Sequence, residues 1–124
     1  MHIHSAINYN TPDMLATLRQ AILELKPYEA SAYLVFPVDF PFVHSTTVRS
    51  LIEAHKQNPL AVLRPCYKDK CGHPILIPSS LDVYNDDAGL GLRYLIHASQ
   101  ITTLDIPVLD EGILRNINKP EDLF

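Results

Sequence analysis

Residues 32–37 form an apolar run, and the sequence Val38-Asp39-Phe40-Pro41 follows it directly. A segment that is apolar on both faces predicts a strand buried within a parallel sheet that helices cover on each side. In open α/β sheets, ligands bind just beyond the carboxyl ends of the strands. Asp39 stands at that point, where its carboxylate is suited to hold a divalent cation and, through it, a phosphate. The alternative is that Asp39 only organises a turn, since Asp near Pro is common turn chemistry, and this segment alone favours the alternative.

Predicted helices and strands alternate along the rest of the chain. The clearest helix start is Thr11-Pro12-Asp13, which offers a capping hydroxyl, Pro at the first helical position and an acid in the first turn. Helices are predicted for residues 12–25, 45–58 and 90–99, with a further start at 119–123, and strands for residues 2–7, 32–38, 60–63, 74–78 and 102–108. This alternation predicts an α/β fold with a mostly parallel sheet and flanking helices.

The length and charge of the chain restrict the number of domains and the kinds of partner that we expect. Its 124 residues suit a single domain over residues 1–124. The net charge is −4 and no run of basic residues occurs, so we expect no nucleic-acid partner. No apolar stretch reaches the length of a membrane span, and the first residues lack the basic and apolar regions of a signal peptide. We therefore expect a cytoplasmic protein that does not bind membranes, in which the two cysteines are free thiols.

Three groups of potential metal ligands occur in the sequence. The run Cys66-x4-Cys71-x-His73 offers three ligands, but structural zinc sites usually have four ligands at shorter spacings. We therefore interpret this run as a loop that carries two reduced thiols. His2-x-His4 and Asp86-Asp87 are each more simply explained as solvated polar sequence.

His73 has a second possible role, because its neighbours restrict the backbone. Gly72 allows the main chain to approach another group closely, and Pro74 fixes the entry to the following strand. His73 is then either held toward a ligand by a rigid corner or exposed in a turn.

Two side-chain amides occur near the end of the chain in Asn116-Ile117-Asn118. In a strand, residues two apart point to the same side, so both amides would project together just before the helix start at Lys119-Pro120. An Asn carbonyl is a reasonable ligand for a hard cation that a carboxylate already holds. An Asn turn that leads into the helix is the alternative, and local sequence favours it.

In order along the chain, these segments resemble the molybdenum-cofactor nucleotidyltransferases, the MobA-like NTP transferases. The resemblance covers about residues 8–123. It rests on Val38-Asp39-Phe40-Pro41-Phe42-Val43, Arg64-Pro65, Gly72-His73-Pro74-Ile75-Leu76, Gly91-Leu92-Arg93-Tyr94-Leu95-Ile96 and Asn116-Ile117-Asn118-Lys119-Pro120-Glu121-Asp122-Leu123. Members of this family transfer a nucleoside monophosphate from CTP or GTP to the phosphate of molybdopterin, and relatives act on sugar phosphates. The resemblance implies a Rossmann-like fold.

The resemblance also implies a role for each candidate residue. Asp39 matches the catalytic, magnesium-binding Asp of the family, and Asn118 matches the residue that completes the metal and phosphate site. Asn116 matches a neighbouring substrate-binding position, and Gly72 and His73 match a loop near the acceptor. The implied cofactor is a weakly bound Mg²⁺, and the implied ligands are an NTP and a phosphorylated pterin or other small acceptor.

One part of the family pattern has no counterpart here. The family begins with a strand and a glycine-rich loop that carries an Arg and a Lys and holds the NTP, and nothing in residues 1–30 resembles it. We therefore expect a sheet that is incomplete at the N-terminus and a nucleotidyltransferase that is inactive as the isolated chain. The alternative is a non-catalytic remnant that binds a ligand or partner. The strand over residues 3–7, with a second copy or a partner chain, is expected to cover the sheet edge beside the Asp39 strand.

Overall fold

The computed structural model describes residues 14–25, 29–84 and 91–117. They form three α-helices, five strands and one 3-10 helix, and the chain divides into two compact units. One unit comprises residues 32–78 and 102–124, and the other comprises residues 1–31 and 79–101. The predicted strand over residues 2–7 and the predicted helix start at 119–123 lie outside the described residues.

The first unit contains a five-stranded sheet. Its strands are β1 (Ala32–Val35), β2 (Val62–Tyr67), β3 (Lys70–Cys71), β4 (Ile75–Pro78) and β5 (Thr103–Pro107). β4 lies between β1 and β2, and β5 lies on the other side of β2. β3 pairs with β2 on the same side as β4, since Cys66 of β2 has Cys71 on one side and Pro107 on the other.

The expectation of a mostly parallel sheet is wrong. β1 with β4, β2 with β4 and β2 with β3 pair antiparallel, and only β2 with β5 pair parallel. The reason is the two-residue turn Lys68-Asp69, which sends the chain straight back along β2 and inserts β4 between β1 and β2. β1, β2 and β5 still run in one direction, so their carboxyl ends lie at one edge of the sheet.

Helix α2 (Ser45–Gln57) covers one face of this sheet. Leu51 on α2 is fully buried, and it packs with Ala61, Leu63 and Leu76 in the core of the unit. The helix ends where the side-chain amide of Asn58 donates to the carbonyl oxygen of Ala54, at 3.0 Å. Partly buried apolar residues complete the cluster: Ala32, Leu34, Ala54, Leu104 and Ile106. The prediction of a helix over residues 45–58 is therefore confirmed.

The second unit contains helices α1 (Met14–Leu25) and α3 (Leu92–Ala98). Its buried apolar residues are Leu15, Leu18 and Ile22 on α1, Leu92 and Leu95 on α3, and Leu81 and Val83 in the segment after β4. Arg19 joins α1 to that segment, since its Nε donates to the carbonyl oxygen of Val83 at 2.6 Å. Among the described residues, no helix has both the length and the apolar character that a membrane span requires.

Candidate active site

Three loops leave the sheet at the edge where β1, β2 and β5 have their carboxyl ends. They are residues 36–44 after β1, residues 72–74 between β3 and β4, and residues 108–117 after β5. The strand register places them together, because Val35 pairs with Ile75 and Cys66 pairs with both Cys71 and Pro107. This is the edge at which α/β domains bind ligands.

Asp39 lies in a turn directly after β1, which the hydrogen bond from Phe40 N to Pro37 O closes at 3.2 Å. Asp39 is therefore part of a turn, and its two interpretations, as a metal ligand and as a residue that only organises the turn, both stay predictions. The carbonyl oxygen of Asp39 accepts a hydrogen bond from Ile117 N at 2.7 Å. The turn after β1 therefore contacts the last described residue of the chain. Asn116 is adjacent to this contact in sequence and is exposed, and Asn118 lies outside the described residues.

The Gly72-His73 corner reaches both of the other loops. The His73 ring lies 4.7 Å from the Phe40 ring between centroids, with the two planes tilted by 51°. His73 N donates to the carbonyl oxygen of Ile113 at 3.0 Å. The corner predicted near the acceptor is thus packed beside the Asp39 turn, and His73 is partly buried there rather than exposed in a turn.

Two glycines permit the close approach of these loops. A Cβ atom on Gly72 would overlap the carbonyl oxygen of Ile113, and one on Gly112 would overlap the carbonyl oxygen of Phe42. Each loop therefore touches the next through main-chain atoms. Arg115 adds a cation to this region, with its guanidinium 4.2 Å from the centroid of the Phe42 ring.

Asp110 is a buried structural residue at this edge of the sheet that the sequence analysis missed. Its side chain is 2% exposed, and Oδ2 accepts hydrogen bonds from Thr47 Oγ1 at 2.6 Å and from His44 N at 2.8 Å. Oδ1 accepts from Gly112 N at 2.9 Å, which caps the 3-10 helix Glu111–Leu114. The sequence Asp-Glu-Gly after a predicted strand was the available indication, because Asp is a preferred cap residue.

The environment of Asp110 favours its charged form. Burial by itself would raise the pKa of Asp110. The hydrogen bonds from the Thr47 hydroxyl and from the backbone N–H groups of His44 and Gly112, together with the His44 imidazole at 3.7 Å, outweigh burial and lower the pKa below the ordinary value of 3.8. The buried carboxylate therefore fastens the start of α2 to the loop after β5.

A separate groove of about 440 Å³ lies beside Asp110 on the α2 side. It is lined by Thr46, Thr47, Ser50, Pro107, Val108, Leu109 and Asp110. None of the predicted site residues that the structure describes lies among them. The groove is thus distinct from the contact between Asp39 and Ile117.

The two cysteines are joined in a Cys66–Cys71 disulfide, so the prediction of free thiols is wrong. They face each other across β2 and β3, a proximity that the sequence separation alone did not reveal.

The potential metal site Cys66-x4-Cys71-x-His73 does not form among the described residues, because His73 does not cluster with the two cysteines. Within the described ranges, the potential ligand atoms that cluster are those of Cys66, Cys71 and Asp105, within 4.8 Å of one another. The bonded sulfurs are not thiolates, and Arg64 already holds Asp105 at 2.6 Å. The other candidate ligands, at residues 2, 4, 86 and 87, lie outside the described residues.

The structure is therefore an α/β domain with an Asp-bearing turn at the carboxyl edge of its sheet, the edge at which open α/β domains bind ligands. A family model described as the MobA-like NTP transferase domain matches residues 5–102, and the chain belongs to this family. The matched range includes Asp39, Gly72 and His73 and ends before Asn116 and Asn118. No curated protein matches the chain significantly.

Replacing Asp110 by Asn should destabilise the protein in a pH-dependent way. At pH 7 we expect a loss of about 1–3 kcal/mol in the free energy of unfolding, because an amide cannot accept all three hydrogen bonds. The pKa of Asp110 is lowered in the folded state, so its stabilisation is present above the pKa of the unfolded chain. It is lost as the pH falls through the lower, folded-state pKa. Urea unfolding of wild type and Asp110→Asn between pH 7 and pH 3 measures this difference.

The control for this prediction is Asp105→Asn, which removes an exposed carboxylate that is paired with Arg64. Exposed pairs contribute about 0–1 kcal/mol, so this variant should change little. A difference between wild type and Asp110→Asn that stays constant from pH 7 to pH 3 would contradict the assignment.

Proposed function

We propose that this chain is a nucleotidyltransferase-type domain that binds Mg²⁺ and a phosphorylated ligand around Asp39. The family match supports the reaction class. The observation that carries the location of the site is the hydrogen bond from Ile117 N to the carbonyl oxygen of Asp39, at 2.7 Å. It joins the Asp turn to the segment in which the amides of the proposed site occur.

The proposed metal ligands are the Asp39 carboxylate and the Asn118 amide oxygen, with Asn116 beside them. The donors fit Mg²⁺, which prefers carboxylate and carbonyl oxygens and keeps several waters when few protein ligands are present. When bound, the ion would offset the negative charge that builds up on the phosphates during transfer. We propose that Gly72 and His73 bind the acceptor, since their corner packs against Phe40, next to Asp39.

Following the resemblance, the proposed donor is CTP or GTP and the proposed acceptor is a phosphorylated pterin. Holding a triphosphate requires several positioned donors, and a glycine-rich loop supplies them through backbone N–H groups. All four glycines of this chain occur at position 72 or later. We therefore propose that the 124-residue chain by itself binds ligands without turning them over.

Mn²⁺, as a paramagnetic substitute for Mg²⁺, tests the metal site. It should broaden the backbone NMR signals of residues 39 and 116–117 selectively, because the proposed ion lies between these segments. Asp39→Ala should weaken this effect about tenfold or more, since it removes the one charged ligand.

Glu53→Ala is the matched control for the Mn²⁺ experiment. Glu53 is an exposed carboxylate on α2 that pairs with Lys56 at 2.9 Å. Its removal should leave the broadening unchanged. Equal broadening in wild type and Asp39→Ala would remove Asp39 as a metal ligand.

Turnover separates the two functional alternatives. Purified chain with CTP or GTP, Mg²⁺ and a pterin phosphate should release pyrophosphate no faster than buffer, because positioning and charge neutralisation supply most of the catalysis of such transfers. Release well above buffer that Asp39→Ala abolishes would show an enzyme that is active alone. We expect the purified chain to bind the metal and to show no turnover with either CTP or GTP.

We also propose that the outer edge of β1 is covered by residues 3–7 in a parallel pairing, with a homodimer formed beyond them. Within the described part of the chain, β1 pairs with β4 on one side and has no strand on its other side. Unpaired apolar edges promote aggregation, and native proteins cover them.

Deleting residues 1–7 should therefore lower the unfolding midpoint strongly or cause aggregation, which thermal unfolding and light scattering would detect. The control is His4→Asp, which changes the charge without removing the predicted apolar face of Ile3 and Ile7. A deletion variant that is monomeric and as stable as the full chain would exclude this pairing.

A further inference from the structure

Cys66 and Cys71 occupy the closely spaced type of antiparallel pair. Gly72 N donates to the carbonyl oxygen of Pro65 at 3.0 Å, which is the hydrogen bond just beyond the Cys66 and Cys71 pair. The two cysteines are therefore a non-hydrogen-bonded pair, whose side chains lie nearer each other than those of hydrogen-bonded pairs. Their disulfide joins β2 to β3 at the point where the chain turns toward His73.

The disulfide closes a turn whose backbone conformation is unfavourable for the residues that occupy it. Lys68 and Asp69 are the two central residues, and both have positive φ, 48° and 68°. Two-residue hairpin turns with positive φ at both positions favour Asn-Gly, because a side chain resists this conformation. The turn therefore depends on interactions outside itself, and the disulfide is the covalent one.

The residues directly after the disulfide form the contacts of the candidate site. Gly72 is fixed to Pro65, His73 N is bonded to the carbonyl oxygen of Ile113, and the His73 ring lies against Phe40. These contacts begin one residue after Cys71. A hairpin that opens at Cys66 and Cys71 would release the corner from both loops.

We propose that the Cys66–Cys71 disulfide is a thiol-sensitive clamp that positions the Gly72-His73 corner at the candidate site. Its opening by a dithiol would lower the affinity for a metal-bound nucleotide. The affinity part of this proposal rests on the proposed function. The positioning part rests on the contacts of the hairpin alone.

The chemical step is a thiol–disulfide exchange. A thiolate of the dithiol attacks one sulfur of the disulfide, most accessibly that of the partly buried Cys71, and forms a mixed disulfide while Cys66 leaves as a thiolate. The second thiol of the reagent then displaces Cys71. The protein disulfide accepts two electrons and two protons and becomes two thiols, and the dithiol becomes a cyclic disulfide.

Hydrogen exchange tests the positioning part without any ligand. Reduction of the intact protein by dithiothreitol should accelerate exchange of the Gly72 and His73 amides about tenfold or more, because a local opening then exposes them. The Val62 amide, bonded to Thr102 on the opposite side of β2, should exchange at an unchanged rate. Unchanged exchange at residues 72 and 73, with two thiols confirmed by alkylation and mass spectrometry, would overturn the clamp. So would two free thiols in the air-oxidised protein.

A rescue variant separates the clamp from general stability. Cys66→Ser with Cys71→Ser should show fast exchange at residues 72 and 73 with or without dithiothreitol. Adding Lys68→Asn and Asp69→Gly supplies the sequence that this turn prefers and should restore slow exchange without a disulfide. If the double serine variant does not fold, the test uses the variant that also carries Lys68→Asn and Asp69→Gly. Folding of that variant with slow exchange at residues 72 and 73 supports the clamp, and its failure to fold overturns the clamp.

Binding of Mn²⁺ with CTP tests the affinity part. The oxidised protein should bind at least several-fold more tightly than the reduced protein, and the variant with the improved turn should be insensitive to dithiothreitol. Equal binding by oxidised and reduced protein would overturn the coupling. No binding by either form, together with the expected exchange rates, would instead contradict the proposed function and leave the clamp intact.

Discussion

The buried carboxylate of Asp110 is the interaction on which the arrangement of this site depends. It accepts hydrogen bonds from Thr47 and His44 at the start of α2 and from Gly112 in the loop after β5. α2 covers the core of its unit, and the loop after β5 carries the residues that meet both other loops. One charged group therefore connects the packing of the sheet to the geometry of the site. Its lowered pKa reflects this role, since the donors around it are arranged for the charged form.

The rest of the site is held largely by main-chain contacts. Ile113 accepts from His73 N, and Asp39 accepts from Ile117 N, so the loop after β5 bonds to each of the other two. Gly72 and Gly112 are required because a side chain at either position would strike a carbonyl oxygen. In this construction the backbone sets the positions of Asp39 and His73.

The hairpin of β2 and β3 depends on a covalent bond outside its own turn. Its turn has positive φ at Lys68 and Asp69, and its disulfide stands directly before the Gly72-His73 corner. The same turn explains why the sheet differs from a parallel one, because it returns the chain along β2 and places β4 beside β1. One local feature therefore shapes both the strand order and the site.

The sequence by itself predicted the three helices of the described chain, four of its five strands and the family, because apolar periodicity, caps and ordered motifs are local. The short strand β3 was not predicted, since Lys70 and Cys71 stand in a polar segment typical of a turn. The structure places Asp39 in a turn after β1 and packs the His73 ring against the neighbouring Phe40. The tertiary structure alone decided the strand directions, the Cys66–Cys71 bond and the role of Asp110. Each of these joins residues through pairing or burial that local sequence does not encode. Asp110 meets Thr47 only because α2 and the loop after β5 pack against the same edge of the sheet.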